Sequence, residues 1–243
     1  MSNGLVIIPT YNEKENIKRV VERVFQLSYD FHVLVIDDNS PDGTAAIVKE
    51  MQPENEQCLH LLEREGKLGL GTAYIMGFRW ALKRGYEYVF EMDADLSHNP
   101  DDLVRLYETA RKGYDLVIGS RYVQGVNVVN WPIGRVLMSY FASIYVKVIL
   151  GIKIDDTTAG FKCYHRKVLE TINLDKIRFV GYAFQIEMKY TAWKLGFKVK
   201  EIPIIFTDRT EGQSKMTRGI FKEAVFGVMK LRFKRIRPDK RSL

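Results

Sequence analysis

The chain has 243 residues, of which 46% are hydrophobic and 28% charged, and these proportions exclude a disordered or low-complexity protein. Its two cysteines are too few for a disulfide framework or a cysteine-based zinc site, and they favour a reducing compartment. The net charge of +7 resides near the C-terminus, where the segment from Lys215 onwards holds ten basic residues and two acidic ones. Such a segment indicates contact with phosphate groups on nucleic acid, anionic lipid or a phosphorylated substrate.

Up to residue 120, buried apolar runs alternate with amphipathic segments, which predicts strands alternating with helices. The predicted strands span 4–8, 31–36, 59–62, 86–92 and 115–120. The predicted helices span 13–27, 44–51, 71–84 and 101–112. This alternation is typical of parallel βαβ units that build a buried sheet covered by helices.

Beyond residue 121 the sequence predicts helices over 132–150, 179–195 and 219–233, with a strand over 198–206. The helices over 132–150 and 219–233 are amphipathic, and the second is also basic. A basic amphipathic helix is typical of a segment that lies on a membrane surface, although a solvated helix end is the alternative. The longest uncharged apolar run, 136–146, is too short to cross a bilayer, which takes about 20 residues.

Polar side chains follow most of the predicted strands at their carboxyl ends. They are Thr10, Tyr11, Asn12 and Glu13 after the first strand, Asp37 and Asp38 after the second, Asp93 and Asp95 after the fourth, and Arg121 after the fifth. In open α/β sheets, ligands bind at this edge. The sequence therefore predicts that these side chains converge on one binding site.

Asp93 and Asp95 are two carboxylates directly after a buried strand. Magnesium and manganese prefer oxygen ligands, and proteins often hold magnesium through one or two carboxylates together with substrate phosphates. A strand-end turn capped by aspartate is the alternative. The sequence lacks both the GxGxxG fingerprint and the GxxxxGK[ST] loop, which argues against the usual nicotinamide and P-loop sites.

Eight motifs occur in order between residues 8 and 216, and together they resemble the family 2 glycosyltransferases. They are IPTYNEKENI, VIDDNSPDGT, GKLGLGTAYIMG, EMDADLSHNP, GSRY, WPIGR, TAGFKCYHRKVL and DRTEGQSKM. The resemblance is to the dolichol-phosphate (polyprenol-phosphate) mannosyltransferases, in their short form without transmembrane helices. It implies a glycosyltransferase A fold, which is a Rossmann-like, three-layer α/β fold with a mostly parallel central sheet. It also implies a catalytic domain over 1–216, with an interfacial amphipathic helix near 133–150, and a basic amphipathic segment over 217–243.

The resemblance also implies roles for individual residues. The residues expected to bind the nucleotide sugar, GDP-mannose, are Pro9, Tyr11, Glu13, Val35, Asp37, Asp93, Ala94, Asp95, Arg209 and Lys215. Asp93 and Asp95 are expected to hold a divalent metal, Mg or Mn. Arg121 and Arg135 are expected to bind the acceptor phosphate. The residues expected to be catalytic are Asp95, Arg121, Arg209 and Lys215.

The implied reaction is the inverting transfer of mannose to a polyprenyl phosphate, by an enzyme bound peripherally to the cytoplasmic face of a membrane. A phosphate monoester has a second pKa of about 6, so this nucleophile needs positioning more than deprotonation. A related transferase that uses UDP-glucose or another acceptor is the open alternative, because the acidic residues do not select the base. A nucleic-acid partner is not expected, since it would leave the acidic strand ends unexplained. The sequence does not decide the oligomeric state.

Overall fold

The computed structural model describes residues 3–208 and 227–239. Its strands are β1 (Gly4–Thr10), β2 (His32–Asp37), β3 (Leu59–Glu63), β4 (Tyr88–Glu91), β5 (Leu116–Ser120), β6 (Val128–Val129), β7 (Lys162–His165), β8 (Val199–Pro203) and β9 (Phe206–Thr207). Its helices are α1 (Ile17–Phe25), α2 (Thr44–Met51), α3 (Leu70–Lys83), α4 (Asp102–Arg111), α5 (Ile133–Leu150), α6 (Arg166–Thr171) and α7 (Tyr182–Lys194). A 3-10 turn covers Leu174–Lys176, and residues 227–232 are helical.

The central sheet has seven strands in the order β3-β2-β1-β4-β7-β5-β8. All neighbouring pairs are parallel except those of β7, which runs antiparallel to both β4 and β5. A second, two-stranded sheet joins β6 to β9. The prediction of a mostly parallel central sheet is therefore confirmed.

The central sheet is buried on both faces, which explains why its first strands are almost continuously apolar. Along β1 the side chains alternate between two cores. Leu5 and Ile7 pack with residues of α3, α5, α6 and α7, whereas Val6 and Ile8 pack with residues of α1, α2 and α4. This arrangement is the expected three-layer architecture.

Two predicted elements differ from the structure, and one strand inside the central sheet was not predicted. The first helix begins at Ile17 instead of residue 13, because residues 13 and 14 are bonded through their backbone N–H groups to Thr44 and Asp42. The predicted strand over 198–206 is two strands, β8 and β9, which belong to different sheets. Strand β7 was missed, because its residues Lys-Cys-Tyr-His lack an apolar run although β7 lies inside the sheet.

Helix α5 begins after Pro132 and ends at Gly151, whose φ of 67° is the left-handed conformation that favours glycine at a helix end. By length and composition alone, α5 is long and apolar enough to cross a membrane, with 18 residues and a mean hydropathy of 1.5. The uncharged apolar run over 136–146 is shorter than α5, because Arg135 and Lys147 lie within the helix and bound that run. Both charged side chains are paired with the protein, Arg135 with Asp208 and Lys147 with Asp155.

The described part of the C-terminal segment packs against the rest of the chain. Val228 and Leu231 are buried in the same core as Val146 and Leu150 of α5. Arg232 Nη1 donates a hydrogen bond of 3.0 Å to the carbonyl of Leu150. The expected boundary between 216 and 217, and the first part of the predicted helix over 219–233, lie outside the described residues.

Candidate active site

A cavity of about 850 Å³ lies at the carboxyl ends of the strands, where the sequence predicts a site. One wall comes from the strand ends and the opposite wall comes from α5, through Met138, Phe141 and Tyr145. The predicted site residues that line the cavity are Pro9, Tyr11, Glu13, Asp93, Ala94, Asp95, Arg121 and Arg135. We call this cavity the cleft.

Four predicted site residues are not part of the described lining. Val35 is fully buried in the core between β1 and β3. Asp37 is also fully buried, and its carboxylate accepts hydrogen bonds from Thr10 Oγ1 at 2.8 Å and from Ser40 Oγ at 2.6 Å. Arg209 and Lys215 lie outside the described residues.

The acidic pair sits in the turn after β4, and Ser97 orients its second member. Asp95 Oδ1 accepts hydrogen bonds from the Ser97 backbone N–H at 3.1 Å and from Ser97 Oγ at 2.5 Å. Asp93 is the more exposed of the two carboxylates. Both residues line the cleft, so their oxygens are available to a ligand there.

These carboxylates suit a hard divalent cation that shares its coordination with a substrate. Among residues 3–208 and 227–239, no three His, Cys, Asp or Glu side chains are grouped so that they could hold a metal ion. Magnesium commonly binds through one or two carboxylates, waters and substrate phosphates, and manganese prefers similar ligands. Asp93 and Asp95 beside an open cleft fit that type of site.

His98 is a neutral, buried side chain beside the acidic pair. Burial lowers the pKa of His98 to about 4, despite the nearby charge of Asp95. Its Nδ1 lies 3.3 Å from the backbone nitrogen of Asp93, whose N–H it accepts. Its ring stacks on Phe161 at 4.8 Å between ring centroids and contacts the Phe206 ring edge-on at 5.3 Å. His98 therefore fixes the turn that carries Asp93, and its low pKa makes it a weak base.

Arg121 is held in the cleft wall by a buried carboxylate. Arg121 Nε and Nη2 each donate a hydrogen bond of 2.7 Å to Asp156, and Nη2 also donates to Thr158 Oγ1 at 2.7 Å. Burial alone would raise the pKa of Asp156, but the charge and hydrogen bonds of Arg121 lower it to about 2. Asp156 thus stays ionised and fixes the orientation of the guanidinium.

Hydrogen bonds from two other elements hold the loop that carries Asp156 in place. Glu201 of β8 accepts the backbone N–H groups of Asp155 and Asp156 at 2.7 and 2.8 Å. Lys189 of α7 donates from Nζ to the carbonyl of Ala159 at 2.7 Å. Burial holds the pKa of Lys189 well below its usual value. Sequence reasoning missed the role of Asp156, because the residue follows no predicted strand.

Arg135 enters the cleft from the first turn of α5. Its Nη1 lies 2.9 Å from both carboxylate oxygens of Asp208. Its guanidinium carbon lies 4.1 Å from the ring centroid of Trp131, and that of Arg121 lies 5.5 Å from the same ring. Trp131 therefore contacts both arginines of the cleft, a role that sequence reasoning did not assign.

Arg64 organises the end of the cleft near Tyr11. Arg64 Nε donates to Asp38 at 2.6 Å and Nη1 donates to Thr72 Oγ1 at 2.7 Å, which fixes the start of α3. Burial raises the pKa of Asp38, although Arg64 opposes this shift. Lys67 Nζ lies 4.9 Å above the ring centroid of Tyr11, and both residues line the cleft.

Glycine is required where α3 begins. A Cβ atom at Gly71 would lie 2.7 Å from the carbonyl oxygen of Phe179 and 2.8 Å from the ring of Phe184. The Gly71 N–H donates a hydrogen bond of 2.8 Å to the carbonyl of Val180. The glycine-rich turn thus allows close packing of α3 against the chain that enters α7, and does not by itself indicate a phosphate site.

Comparison with known proteins supports the assignment drawn from the motifs. Residues 5–172 match the family described as Glycosyl transferase family 2. Over 224 residues, 92% of the chain, the sequence is 48% identical to the polyprenol monophosphomannose synthase of Mycolicibacterium smegmatis, of which it covers 84%. Over the same length it is 46% identical to the undecaprenyl-phosphate mannosyltransferase of Micrococcus luteus, of which it covers 91%.

Among solved structures, the glucosyl-3-phosphoglycerate synthase of Mycobacterium tuberculosis has a similar fold. Its complex with Mn²⁺, UDP-glucose and phosphoglyceric acid superposes with a TM-score of 0.65 at 17% identity. The match covers 95% of this chain and 79% of that one. The expected glycosyltransferase A fold is therefore confirmed. Taken with the sequence match over residues 5–172, it follows that the chain is a glycosyltransferase and belongs to glycosyl transferase family 2.

Proposed function

We propose that this chain transfers mannose from GDP-mannose to a polyprenyl (dolichyl-type) monophosphate, with inversion, at the cytoplasmic face of a membrane. The observation that carries the proposal is that one cleft joins the acidic pair, two arginines and an apolar wall from α5. The names of the two relatives, which refer to mannose and to polyprenol or undecaprenyl phosphate, support the same reaction.

The strand-end side of the cleft suits the donor. Glu13 is largely buried and lines the cleft beside Tyr11. A carboxylate can accept both N–H donors that guanine presents on one edge, whereas uracil presents one such donor. A divalent metal, Mg or Mn, bound by Asp93 and Asp95 would supply positive charge opposite the diphosphate leaving group. Arg209 and Lys215 are proposed to add to this charge.

The opposite side of the cleft suits a lipid phosphate. Arg121 follows β5 and Arg135 lies in the first turn of α5, both line the cleft beside Trp131, and guanidinium groups bind phosphate oxygens in a defined geometry. Met138, Phe141 and Tyr145 of α5 add apolar surface for an isoprenoid chain, and we call this part of the cleft the acceptor wall. The acceptor is mostly a dianion at pH 7 and needs no base to deprotonate it, so the arginines act by positioning the phosphate oxygen.

A single displacement explains the stereochemistry of the proposal. The positioned phosphate oxygen attacks the anomeric carbon as the bond to the GDP oxygen breaks, and the electron pair of that bond stays with GDP. The α-linked donor then gives a β-linked mannosyl phosphate.

The decisive experiment is a transfer assay with purified protein, radiolabelled sugar nucleotides, a short polyprenyl phosphate and Mg²⁺ or Mn²⁺. We expect radiolabel to appear in the lipid from GDP-mannose but not from UDP-glucose. Addition of EDTA is expected to abolish this transfer. Proton NMR of the product is expected to show a β-mannosyl phosphate. Transfer from UDP-glucose alone would establish the alternative donor, and an α-linked product would contradict inversion.

Arg135→Gln is expected to raise the KM for the polyprenyl phosphate by about 10- to 100-fold, because it removes a charge-assisted hydrogen-bond donor from the acceptor wall. The KM for GDP-mannose is expected to change less than twofold, within about 0.4 kcal/mol. Steady-state kinetics with each substrate varied in turn measure both values. Arg79→Gln, which removes an exposed arginine paired with Asp175, is the matched control. An equal rise in both KM values would contradict the assignment to the acceptor.

The exposed face of α5 is proposed to lie in the membrane surface. Its solvent-facing residues are large and apolar, with Ile133 74%, Phe141 60% and Val148 72% exposed. A patch of this kind marks an interaction surface, and its position beside the acceptor wall suits a lipid bilayer.

The double variant Phe141→Ser and Val148→Ser is expected to reduce partition into liposomes at least tenfold, because each side chain contributes about 1.5–3 kcal/mol when it is fully buried. Sedimentation with liposomes measures the bound fraction. Met76→Ser, at an exposed apolar residue of α3, is the control and is expected to change binding little. Unchanged binding of the double variant would exclude α5 as the membrane contact.

A further inference from the structure

A second cavity, of about 250 Å³, lies outside the cleft, on the surface formed by α7, the 3-10 turn and the C-terminal segment. Its lining residues are Asn173, Lys176, Ile177, Thr191, Lys234, Arg235, Ile236 and Arg237. Four of these eight side chains are basic and none is acidic. We call this cavity the basic pocket. It is slightly smaller than the sites that take drug-sized ligands, which are about 300–1,000 Å³.

We propose that the basic pocket binds a phosphate group, as carried by an anionic lipid headgroup or by a soluble phosphate ester. This inference does not depend on the proposed reaction, because no lining residue of the basic pocket belongs to the cleft.

The C-terminal segment is fixed to the protein at the basic pocket, so the basic residues are preorganised. Lys234 Nζ donates to the carbonyl of Lys176 at 2.7 Å and to Glu187 Oε1 at 2.5 Å. Ile236 packs against the core, and the Asp239 N–H donates to the carbonyl of Thr171 at 2.8 Å. A basic segment held in this way loses less conformational entropy on binding an anion than a mobile tail would.

Of the four basic side chains of the basic pocket, only that of Lys234 is paired with a carboxylate among the described residues. Glu187 is engaged by Lys234 and by the backbone N–H groups of Arg178 and Phe179, and Asp175 is paired with Arg79. Within residues 3–208 and 227–239, no ion pair joins a carboxylate to the side chain of Lys176, Arg235 or Arg237. Three exposed basic residues without a described carboxylate partner therefore line one small cavity.

A buried hydroxyl provides evidence that is independent of charge. Thr191 is 6% exposed and lines the basic pocket, yet its Oγ1 has no hydrogen-bond partner among the described residues. Buried hydroxyl groups are normally satisfied, and an unpaired one is costly. Oγ1 has almost no contact with solvent in this structure, so a phosphate oxygen accepts its proton only when the side chains that cover the hydroxyl move aside.

The surroundings of the basic pocket favour the lipid headgroup as the source of the phosphate. Phe233 directly precedes the basic residues and is 87% exposed. An exposed aromatic side chain beside basic residues is typical of a segment at a membrane interface. The helical residues before it contact the end of α5 through Arg232 and Leu150.

The first test measures binding to liposomes of phosphatidylcholine with and without phosphatidylglycerol. We expect the double variant Arg235→Gln and Arg237→Gln to lose roughly 25-fold in affinity for the anionic liposomes, from about 1 kcal/mol for each basic residue. Lys198→Gln with Lys200→Gln is the matched control, since it removes two exposed charges at the same spacing on the edge of the sheet. We expect this control to lose less than threefold.

The variant Thr191→Val tests whether the anion binds in the basic pocket itself or is attracted only by the positive charge of the surface. The change keeps the shape and the net charge, and the lost hydroxyl makes no hydrogen bond, so we expect an equal or higher melting temperature. We expect the affinity for anionic liposomes to fall about 10- to 100-fold, the scale of losing one hydrogen bond to a charged group. Equal losses in the two double variants, together with wild-type binding by Thr191→Val, would overturn the proposal.

Adding soluble phosphate distinguishes a lipid headgroup from a soluble phosphate ester as the source of the phosphate group. Melting temperatures are measured with glycerol phosphate or inorganic phosphate at constant ionic strength, and Arg135→Gln identifies stabilisation that comes from the cleft. A soluble phosphate ligand is supported if phosphate raises the melting temperature of the Arg135→Gln variant but not that of the double variant Arg235→Gln and Arg237→Gln. Loss of liposome binding in Thr191→Val without such a rise supports the lipid headgroup. No response to either source in the wild-type protein would overturn the proposal.

Discussion

Asp95→Asn is expected to lower kcat/KM for transfer by about 10³-fold, because it removes one of the main electrostatic contributions to stabilising the transition state. The fold is expected to stay unchanged. The amide keeps the shape of the side chain and the Oδ1 that accepts the Ser97 hydrogen bonds, but it removes the negative charge. Transfer kinetics measure the loss, and the melting temperature without ligands measures the fold. Binding of Mn²⁺, followed by electron paramagnetic resonance, is expected to weaken in parallel.

Ser97→Ala is the control for this change. It leaves the Asp95 carboxylate charged but removes the 2.5 Å hydrogen bond that orients it, so we expect a loss of about 10- to 100-fold. Near-normal turnover of Asp95→Asn would contradict the metal assignment. Equal losses in both variants would mean that orientation of residue 95, and not its charge, limits the reaction.

Asp156→Ala is expected to lower the free energy of unfolding by about 3–5 kcal/mol, because it leaves the guanidinium of Arg121 buried without its partner. Asp156 is fully buried and Arg121 is 8% exposed, so water replaces the lost carboxylate only in part. Urea unfolding at pH 7 measures the change. Asp175→Asn is the control, because the Asp175–Arg79 pair is exposed, and such pairs contribute at most about 1 kcal/mol. Similar losses in the two variants would contradict the special role of the buried pair.

The same pair gives the wild-type protein a defined sensitivity to acid. The pKa of Asp156 is about 2 in the folded protein, against 3.8 for an unperturbed aspartate. Because the folded pKa is the lower one, the stabilisation is complete above the unfolded value and is lost as the pH falls from about 4 to about 2. Urea midpoints over this range are expected to fall less in Asp156→Ala than in the wild-type protein.

The strands and helices that follow simple periodicity could be predicted from the sequence. The bounds of α2 are those predicted, because Thr44–Met51 has ordinary helical spacing and its neighbours form turns. The convergence of Asp93, Asp95 and Arg121 on one cleft also follows from the sequence, since parallel strands place their carboxyl ends on one edge. These predictions require only the local spacing of apolar residues and the rule that parallel strands place their carboxyl ends on one edge of the sheet.

Other features depend on contacts that a single sequence does not reveal. Lys162 reads as a surface residue, but it is fully buried in β7 and pairs with Glu91 at 2.9 Å. Burial lowers the pKa of Lys162 against the effect of Glu91. Asp37 was expected in the site from the resemblance, yet its local bonds to Thr10 and Ser40 turn it away from the cleft lining. In both cases a tertiary partner decides what the side chain does.

The antiparallel strand β7 has a consequence for synthesis of the protein. It lies between β4 and β5, although it follows both along the chain. While residues 162–165 are still inside the ribosome, β8 has not emerged either, so only β3, β2, β1 and β4 can pair, and β5 has no neighbour in the sheet. Open edges are prone to pairing with other chains, and nonlocal pairing of this kind is slow. The central sheet is therefore completed only after the loop that positions Arg121 has emerged.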